Sequence, residues 1–489
     1  MASFLTRRNA LATRAALMPR KAITSLRDDE KQSQNEVPVR RFRTAILQAA
    51  GWTLGGYVAV QFLRIASSLI LTRLLVPEMF GIMAIATMVQ VSVAMLSDVG
   101  LRPAAIQSPM GGQKDYLDTA WTLQFIHGLW ICLVCLVAAV FLEIANRHGM
   151  FPAGSVYSDP VLPAVIAGIS ITTVITGLQS AKIITAYRDL TLSRVTAIEL
   201  AAQIVGVAVA VVLAWQTRSI WSFVIAAICS AVVSTILSFV WLPGPGNRFA
   251  LDPTALKDLV RFGKWVLLSS SFTVLAANGD RLLLAGWTTP MMLGLYILAF
   301  NLVAMLEGAG SRLFSSVAMP ALSKVYRDDP DRLPSVFSKL RIPFDVTFVA
   351  AAGATYAAAE AIIAFLYDSR YAGAVEMLKI LSFSLLLARY GLLASVYLAI
   401  GKPGHLTLLN LVRTISIFTV LPLGYYLFGF DGAIWAVALH GLPGALLLFY
   451  FHARHGLNSL RLELALLLAW PLGFLGGQTF AWLLALMQS

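Results

Sequence analysis

Residues 220–241 read IWSFVIAAICSAVVSTILSFVW, a run with no charged side chain. At 1.5 Å of rise per residue, about 20 apolar residues in a helix cross the hydrocarbon core of a bilayer. Val161–Ala181 and Leu282–Leu306 are uncharged stretches of the same kind. Across all 489 residues, 58% are hydrophobic, 13% are charged and the mean hydropathy is +0.76. A water-soluble domain of this size does not carry such values, so the chain reads as an all-α polytopic membrane protein. A β-barrel is excluded, because its strands would alternate apolar and polar residues over about ten positions.

Spans are expected near 49–72, 79–97, 118–142, 160–181, 195–215, 219–242, 263–285, 291–313, 343–366, 375–399, 406–428, 432–451 and 462–487. Pro471 and Gly473 interrupt the last, which is either one kinked helix or a tight hairpin, so the count is about 13 with 12–14 possible. Pro243, Gly244, Pro245 and Gly246 break the chain near its midpoint, ahead of a basic amphipathic stretch from Leu256 to Trp265 that fits the membrane surface. The expected organisation is a basic tail (1–43), a six-helix lobe (44–242), a linker with its amphipathic segment (243–262), a second six-helix lobe (263–453) and a further C-terminal hydrophobic segment (454–489).

Offsetting the chain by 213 residues aligns Pro77 and Gly81 with Pro290 and Gly294, Leu69 and Leu71 with Leu282 and Leu284, and Ala86 with Ala299. The halves therefore read as a duplication. Six spans per half start both halves on the same side, which places a pseudo-twofold axis along the membrane normal and a path between the lobes.

The net charge of +12 has a membrane explanation rather than a nucleic-acid one. With the N-terminus in the cytoplasm, most of the 37 basic residues fall in the tail and the inner loops, and only Arg73, Arg147, Arg218 and Arg370 fall outside, as the positive-inside rule requires. The tail faintly resembles a mitochondrial presequence, but a segment solvated beside anionic lipid is the default reading. Cys132, Cys135 and Cys229 lie in apolar runs and read as packing residues.

Five cations remain inside the apolar runs: Arg64, Arg281, Lys379, Arg389 and Arg413. A charge near the bilayer centre costs roughly 2.5–3.5 kcal/mol on insertion scales, so several together imply a polar cavity within the bundle. An anionic cargo accounts for them.

Residues 71–107 contain TRLLVPEMFGIMAIA followed by SDVGLRPAAIQ. Further on come YRDLTLSRVTAIEL (187–200), LVRFGKWVLLSS (259–270), NGDRLLLAGW (278–287), LGLYILAFNL (293–302) and MPALSKVYRDDPDRL (319–333). In this order and spacing the chain resembles the polysaccharide transporter (Wzx-type oligosaccharide flippase) family, within the multidrug/oligosaccharidyl-lipid/polysaccharide exporter superfamily. The resemblance implies two six-helix lobes and a cargo, an undecaprenyl-diphosphate-linked oligosaccharide moved across the bacterial inner membrane for exopolysaccharide, capsule or O-antigen synthesis. It implies no cofactor and no catalysis. Partners would be the lipid-linked oligosaccharide, membrane lipids, H+ or Na+, and polymerase and glycosyltransferase assembly partners.

A diphosphate suits arginine, which offers bidentate hydrogen bonds and keeps its proton. Arg64, Arg389 and Arg413 are the deepest candidates for substrate binding; Arg281 lies nearer a helix end and Arg312 near a cavity mouth. The bland reading of each is neutralisation of a structural carboxylate. Asp280 and Glu307 are the ion-coupling candidates, since a carboxylate in a span can exchange a proton or hold Na+, and charge compensation is again the alternative. Tyr57, Gln61, Gln90, Gln124, Asn301, Tyr390, Tyr397 and Asn410 fit sugar hydroxyls or, more commonly, helix–helix hydrogen bonds. His127 and His440 lie in spans, but no histidine pair has metal-ligand spacing.

Two rival readings differ in their residues. A membrane glycosyltransferase or polymerase would use Asp328, Asp329 and Asp331 as a metal-binding cluster, although a solvated turn explains them equally. A cation-coupled drug antiporter would carry acids in its cavity, where this chain carries bases.

Overall fold

Prolines at the first helical turn, whose missing N–H is not needed there, start several of the long helices. In a computed structural model of the chain, residues 55–56, 58–98, 100–189, 191–394, 396–400, 402–457 and 460–488 are described, and the basic tail lies outside them. A helix over 58–74 (α1) leads into α2 (Pro77–Leu96), α3 (Leu101–Gln107), α4 (Lys114–Arg147), α5 (Leu162–Gly177), α6 (Lys182–Arg188), α7 (Leu192–Thr217) and α8 (Trp221–Val240). The second half holds α9 (Pro253–Trp287), α10 (Pro290–Asp328), α11 (Leu333–Leu366), α12 (Ala374–Ser382), α13 (Ser384–Leu393), α14 (Val396–Ala399), α15 (Pro403–Leu439), α16 (Leu442–Arg454), α17 (Leu460–Leu467) and α18 (Ala469–Gln488).

Eight described helices are long and apolar enough to span a membrane, or nine with the bent pair Leu162–Gly177 and Lys182–Arg188 taken as one. One of the eight, Gly404–Arg454, contains a reversal. Gly429 takes a φ of 66°, open to glycine without strain, and Gly424 and Gly432 face each other so closely that a Cβ on either would strike the other's carbonyl. Two antiparallel helices therefore meet at this point. The amphipathic stretch Leu256–Trp265 continues without a break into the span, as part of α9. Asp252 caps that helix, accepting from the Thr254 and Ala255 amides.

At the C-terminus, Gly473 is no break. It packs on the Ala350 carbonyl, Gly477 packs on Ala354, and Gly353 packs on Trp470, the close approach that small residues four apart allow between membrane helices. The last segment is thus a span laid along α11, not a hairpin.

The repeat residues themselves join the two halves. A Cβ on Gly81 would collide with the Pro290 carbonyl, and one on Gly294 would collide with the Pro77 carbonyl, so the contact is reciprocal about a local twofold. Ala86 and its repeat mate Ala299 are fully buried beside it. Around the same end, Arg370 donates to the carbonyls of Thr72 (3.1 Å) and Arg73 (3.2 Å), and Tyr371 donates to Leu75 (3.0 Å). The Val156 amide donates to Thr288 (3.1 Å) and the Tyr157 hydroxyl to Leu282 (2.8 Å). Asp368 holds Arg370 in place, and the hydrogen bonds from Arg370 keep that carboxyl below its usual range.

Within the second half lies a buried ionic cluster. Arg341 Nε donates to Asp345 at 2.7 Å, and its terminal nitrogen donates to Glu463. Arg389 pairs with Glu463 at 3.1 Å and with Asp345 at 3.7 Å, and it donates to the Tyr390 hydroxyl, which in turn donates to Glu463 at 2.9 Å. Two guanidiniums and two carboxylates balance.

Two outcomes follow from this packing. Gly81→Val and Gly294→Val should each destabilise the purified protein by about 1–3 kcal/mol, the usual range for overpacking, and by similar amounts; unfolding temperatures equal to wild type for both would reject the reciprocal contact. Glu463→Ala strands a buried positive charge and should cost about 3–5 kcal/mol. Adding Arg389→Met restores balance, so the double variant should recover folded yield by size-exclusion chromatography; a double variant worse than Glu463→Ala alone would show that the cluster is not governed by its charge balance.

Candidate functional site

Helices α10, α13, α15 and α16 enclose a small cavity of about 90 Å³ whose polar lining includes Glu307, Tyr390, Asn410, Arg413 and His440. Asn410 and Arg413 are three residues apart on α15 and so share a face. Arg413 Nε donates to His440 Nε2 at 3.1 Å, and His440 Nδ1 lies 2.6 Å from the Val437 carbonyl. Because a guanidinium is donor-only, Nε2 must accept; Nδ1 then carries the proton to Val437 and the imidazole is neutral. Among the described residues the terminal nitrogens of Arg413 have no hydrogen-bond partner.

Asp280 and Arg281 form a separate group. Both are buried, 4.0 Å apart, with Asp280 accepting from the Tyr296 hydroxyl. Arg281 donates to Asn278 Oδ1 (3.1 Å), and its guanidinium sits 4.1 Å from the centre of the Phe300 ring, a cation–π contact. Arg312 is exposed, five residues beyond Glu307 on α10. Arg64 is exposed on α1 and makes no ion pair among the described residues.

The seven candidate residues thus do not form one constellation. Glu307 and Arg413 share a cavity, Asp280 and Arg281 lie side by side with their hydrogen bonds to Tyr296 and Asn278, and Arg389, 3% exposed, sits in the neutral cluster with Asp345 and Glu463 instead of among the cavity-lining residues. Its charge is compensated there by two carboxylates. Tyr390 alone touches both places, lining the cavity and bonding Glu463.

The first half holds a larger opening, about 690 Å³, between α1, α2, α5, α7 and α8. Gln90 donates to Thr172 Oγ1 and Gln179 donates to Ser234 Oγ, each at 2.8 Å. Glu199 is the one ionisable side chain in this lining. Of the expected sugar-contacting residues, Gln90, Tyr390 and Asn410 line cavities, whereas Gln124 binds the α5 end carbonyls of Thr176 and Gly177. Gln179 and Gln203 escaped the sequence reading. The signal was present, since Thr172, Thr176 and Gln179, and likewise Glu199, Gln203 and Gly206, repeat at one-face helical spacing.

Three histidines also converge unexpectedly: the rings of His405, His452 and His455 lie 4.9, 5.8 and 5.6 Å from that of Tyr397. Among the described residues no group of three His, Cys, Asp or Glu side chains could hold a metal ion. Asp328, Asp329 and Asp331 are exposed on the turn between α10 and α11.

The fold has solved counterparts. The lipid II flippase MurJ, in an inward closed conformation, superposes with a TM-score of 0.60 at 14% identity, covering 89% of this chain and 97% of that one. An inward-facing multidrug resistance transporter of the MATE family, from the MOP superfamily, gives a TM-score of 0.58 at 15% identity over 88% and 96%. The lipopolysaccharide biosynthesis protein WzxC of Escherichia coli (strain K12) is 23% identical over 303 residues, 61% of this chain and 58% of the relative, so the match spans less than two thirds of WzxC. A family model described as polysaccharide biosynthesis protein matches residues 70–376. That match takes in well over half of the chain, and the protein, whose helical fold is similar to that of these two solved transporters, belongs to this polysaccharide biosynthesis family.

Proposed function

We propose that the protein is a flippase that carries an undecaprenyl-diphosphate-linked oligosaccharide across the bacterial inner membrane, for exopolysaccharide, capsule or O-antigen synthesis. The observation that carries this reading is Arg413, a guanidinium lining a cavity among apolar helices, its terminal nitrogens without a hydrogen-bond partner among the described residues. Arg64 supplies a second cation from α1. Together they would hold the diphosphate while the prenyl chain stays in lipid. Arg389 is reassigned to holding α11, α13 and α17 together, with Arg281 and Arg312 as secondary contacts.

Charge asymmetry supports an orientation with the N-terminus in the cytoplasm. The end at which Arg370 joins the halves is then the outer one, and the cavities open inward. Rocking about that end would deliver the cargo outside, with Glu307 or Asp280 taking up H+ or Na+ for the return. The joined lobes are proposed to divide near residues 243–262, and assembly with a polymerase and glycosyltransferases would complete the pathway.

Arg413→Glu and Arg64→Glu should each lower polymer export at least tenfold, with the lipid-linked precursor accumulating on the inner leaflet; Arg413→Lys should retain a part. Normal export from both reversed variants would refute the assignment. Glu307→Gln should leave precursor binding intact but make transport in proteoliposomes insensitive to the imposed H+ or Na+ gradient. Retention of full gradient dependence in that variant and in Asp280→Asn would remove both from the coupling step.

A further inference from the structure

The groove in the first half differs in chemistry from the Arg413 cavity. Its volume, about 690 Å³, lies within the roughly 300–1,000 Å³ of small-molecule sites. Three amides, Gln90, Gln179 and Gln203, and hydroxyls including Thr172, Ser230 and Ser234 line it, and among the described residues no lysine, arginine or histidine does. Phe223 supplies its single aromatic ring. Amides and hydroxyls both donate and accept without net charge, which matches a sugar ring bearing many hydroxyls. Gln90 with Thr172 and Gln179 with Ser234 bond each other, so a prenyl or acyl chain would leave Gln203 and Ser230 as the groups buried without partners among the described residues, an unfavourable exchange.

The groove is also held open. Gly206 faces Ser230 across α7 and α8, where a Cβ would come to 3.1 Å of Ser230 Cβ. Gln203, one turn earlier, makes no side-chain hydrogen bond among the described residues. On α1, the groove-lining residues Val60, Ser67 and Leu71 share with Arg64 one stripe at spacings of four, three and four. Arg64 therefore stands at the edge of a neutral, hydroxyl-rich recess.

We propose that this groove is a subsite for the uncharged pyranose residue next to the diphosphate, and that Arg64 marks the junction between sugar and phosphate. The assignment rests on the flippase reading above. Glu199 is the acceptor for ring hydroxyls and sets a specificity: a uronate in the first position is disfavoured, since its carboxylate would lie beside that of Glu199.

The test uses the full chain in nanodiscs and three soluble probes: farnesyl diphosphate, the same diphosphate bearing glucose, and the same bearing glucuronate. Wild type should bind the glucosyl probe about tenfold more tightly than farnesyl diphosphate, and the glucuronyl probe no more tightly than farnesyl diphosphate. Gln203→Met with Ser230→Ala, and separately Gly206→Val, should abolish the tenfold gain and leave farnesyl diphosphate binding unchanged. If glucose adds no affinity in wild type, or if both variants keep the gain, the subsite is overturned while the diphosphate reading stands. If farnesyl diphosphate itself does not bind, the flippase reading fails and takes the subsite with it.

Discussion

Two proline carbonyls, Pro77 and Pro290, point into space that exists only because residues 81 and 294 lack side chains. That mutual fit brings α2 and α10 together, and further links lie around the same end, Arg370 on α1, Tyr371 on Leu75 and Val156 on Thr288, while Asp258 on α9 accepts from Ser108 (2.9 Å) and Tyr116 (3.1 Å) beyond the far end of α2. In lipid, apolar side chains gain nothing by leaving hydrocarbon for one another, so helix association depends on close van der Waals approach and hydrogen bonds. Glycine against carbonyl supplies the first and Arg370 the second. The same device recurs where α18 meets α11 and where α15 doubles back at Gly429.

Charge is sorted by a second rule. A buried ion needs a partner or water, and the arginines of the second half separate accordingly. Arg341 and Arg389 share Asp345 and Glu463, and Arg281 sits between Asp280, Asn278 and Phe300. Arg413 has only a neutral histidine and an open cavity. Charge compensation, rather than sequence position in an apolar run, separates these arginines.

Much of the fold was legible in the chain. The uncharged runs marked the helices, and the 213-residue offset of Pro77 and Gly81 onto Pro290 and Gly294 marked the residues that touch. The ionic cluster was not legible, because Glu463 lies 122 residues from Arg341 and nothing local pairs them. The Arg341–Asp345 spacing of four was the one available hint, masked by the density of basic residues beside it. Gly473 left two readings open for a related reason: next to Pro471 it resembles a helix break, while its four-residue spacing to Gly477 is the sign of a close helix contact. In the candidate site, Arg413 was recoverable from its position in an apolar run, but the neutral groove was not, since serine, threonine and glutamine in a membrane helix bond mostly to neighbouring helices.

Arg370 grips the Thr72 and Arg73 carbonyls at the tip of α1, whereas Arg64 projects from the same helix eight residues earlier, about 12 Å along its axis. A rod moored at its tip to the opposite body swings instead of sliding, and every point along it sweeps an arc proportional to its distance from the mooring. The cation at position 64 is thus on a short leash whose anchor belongs to the other half, and any displacement between the halves would change where that positive charge is presented.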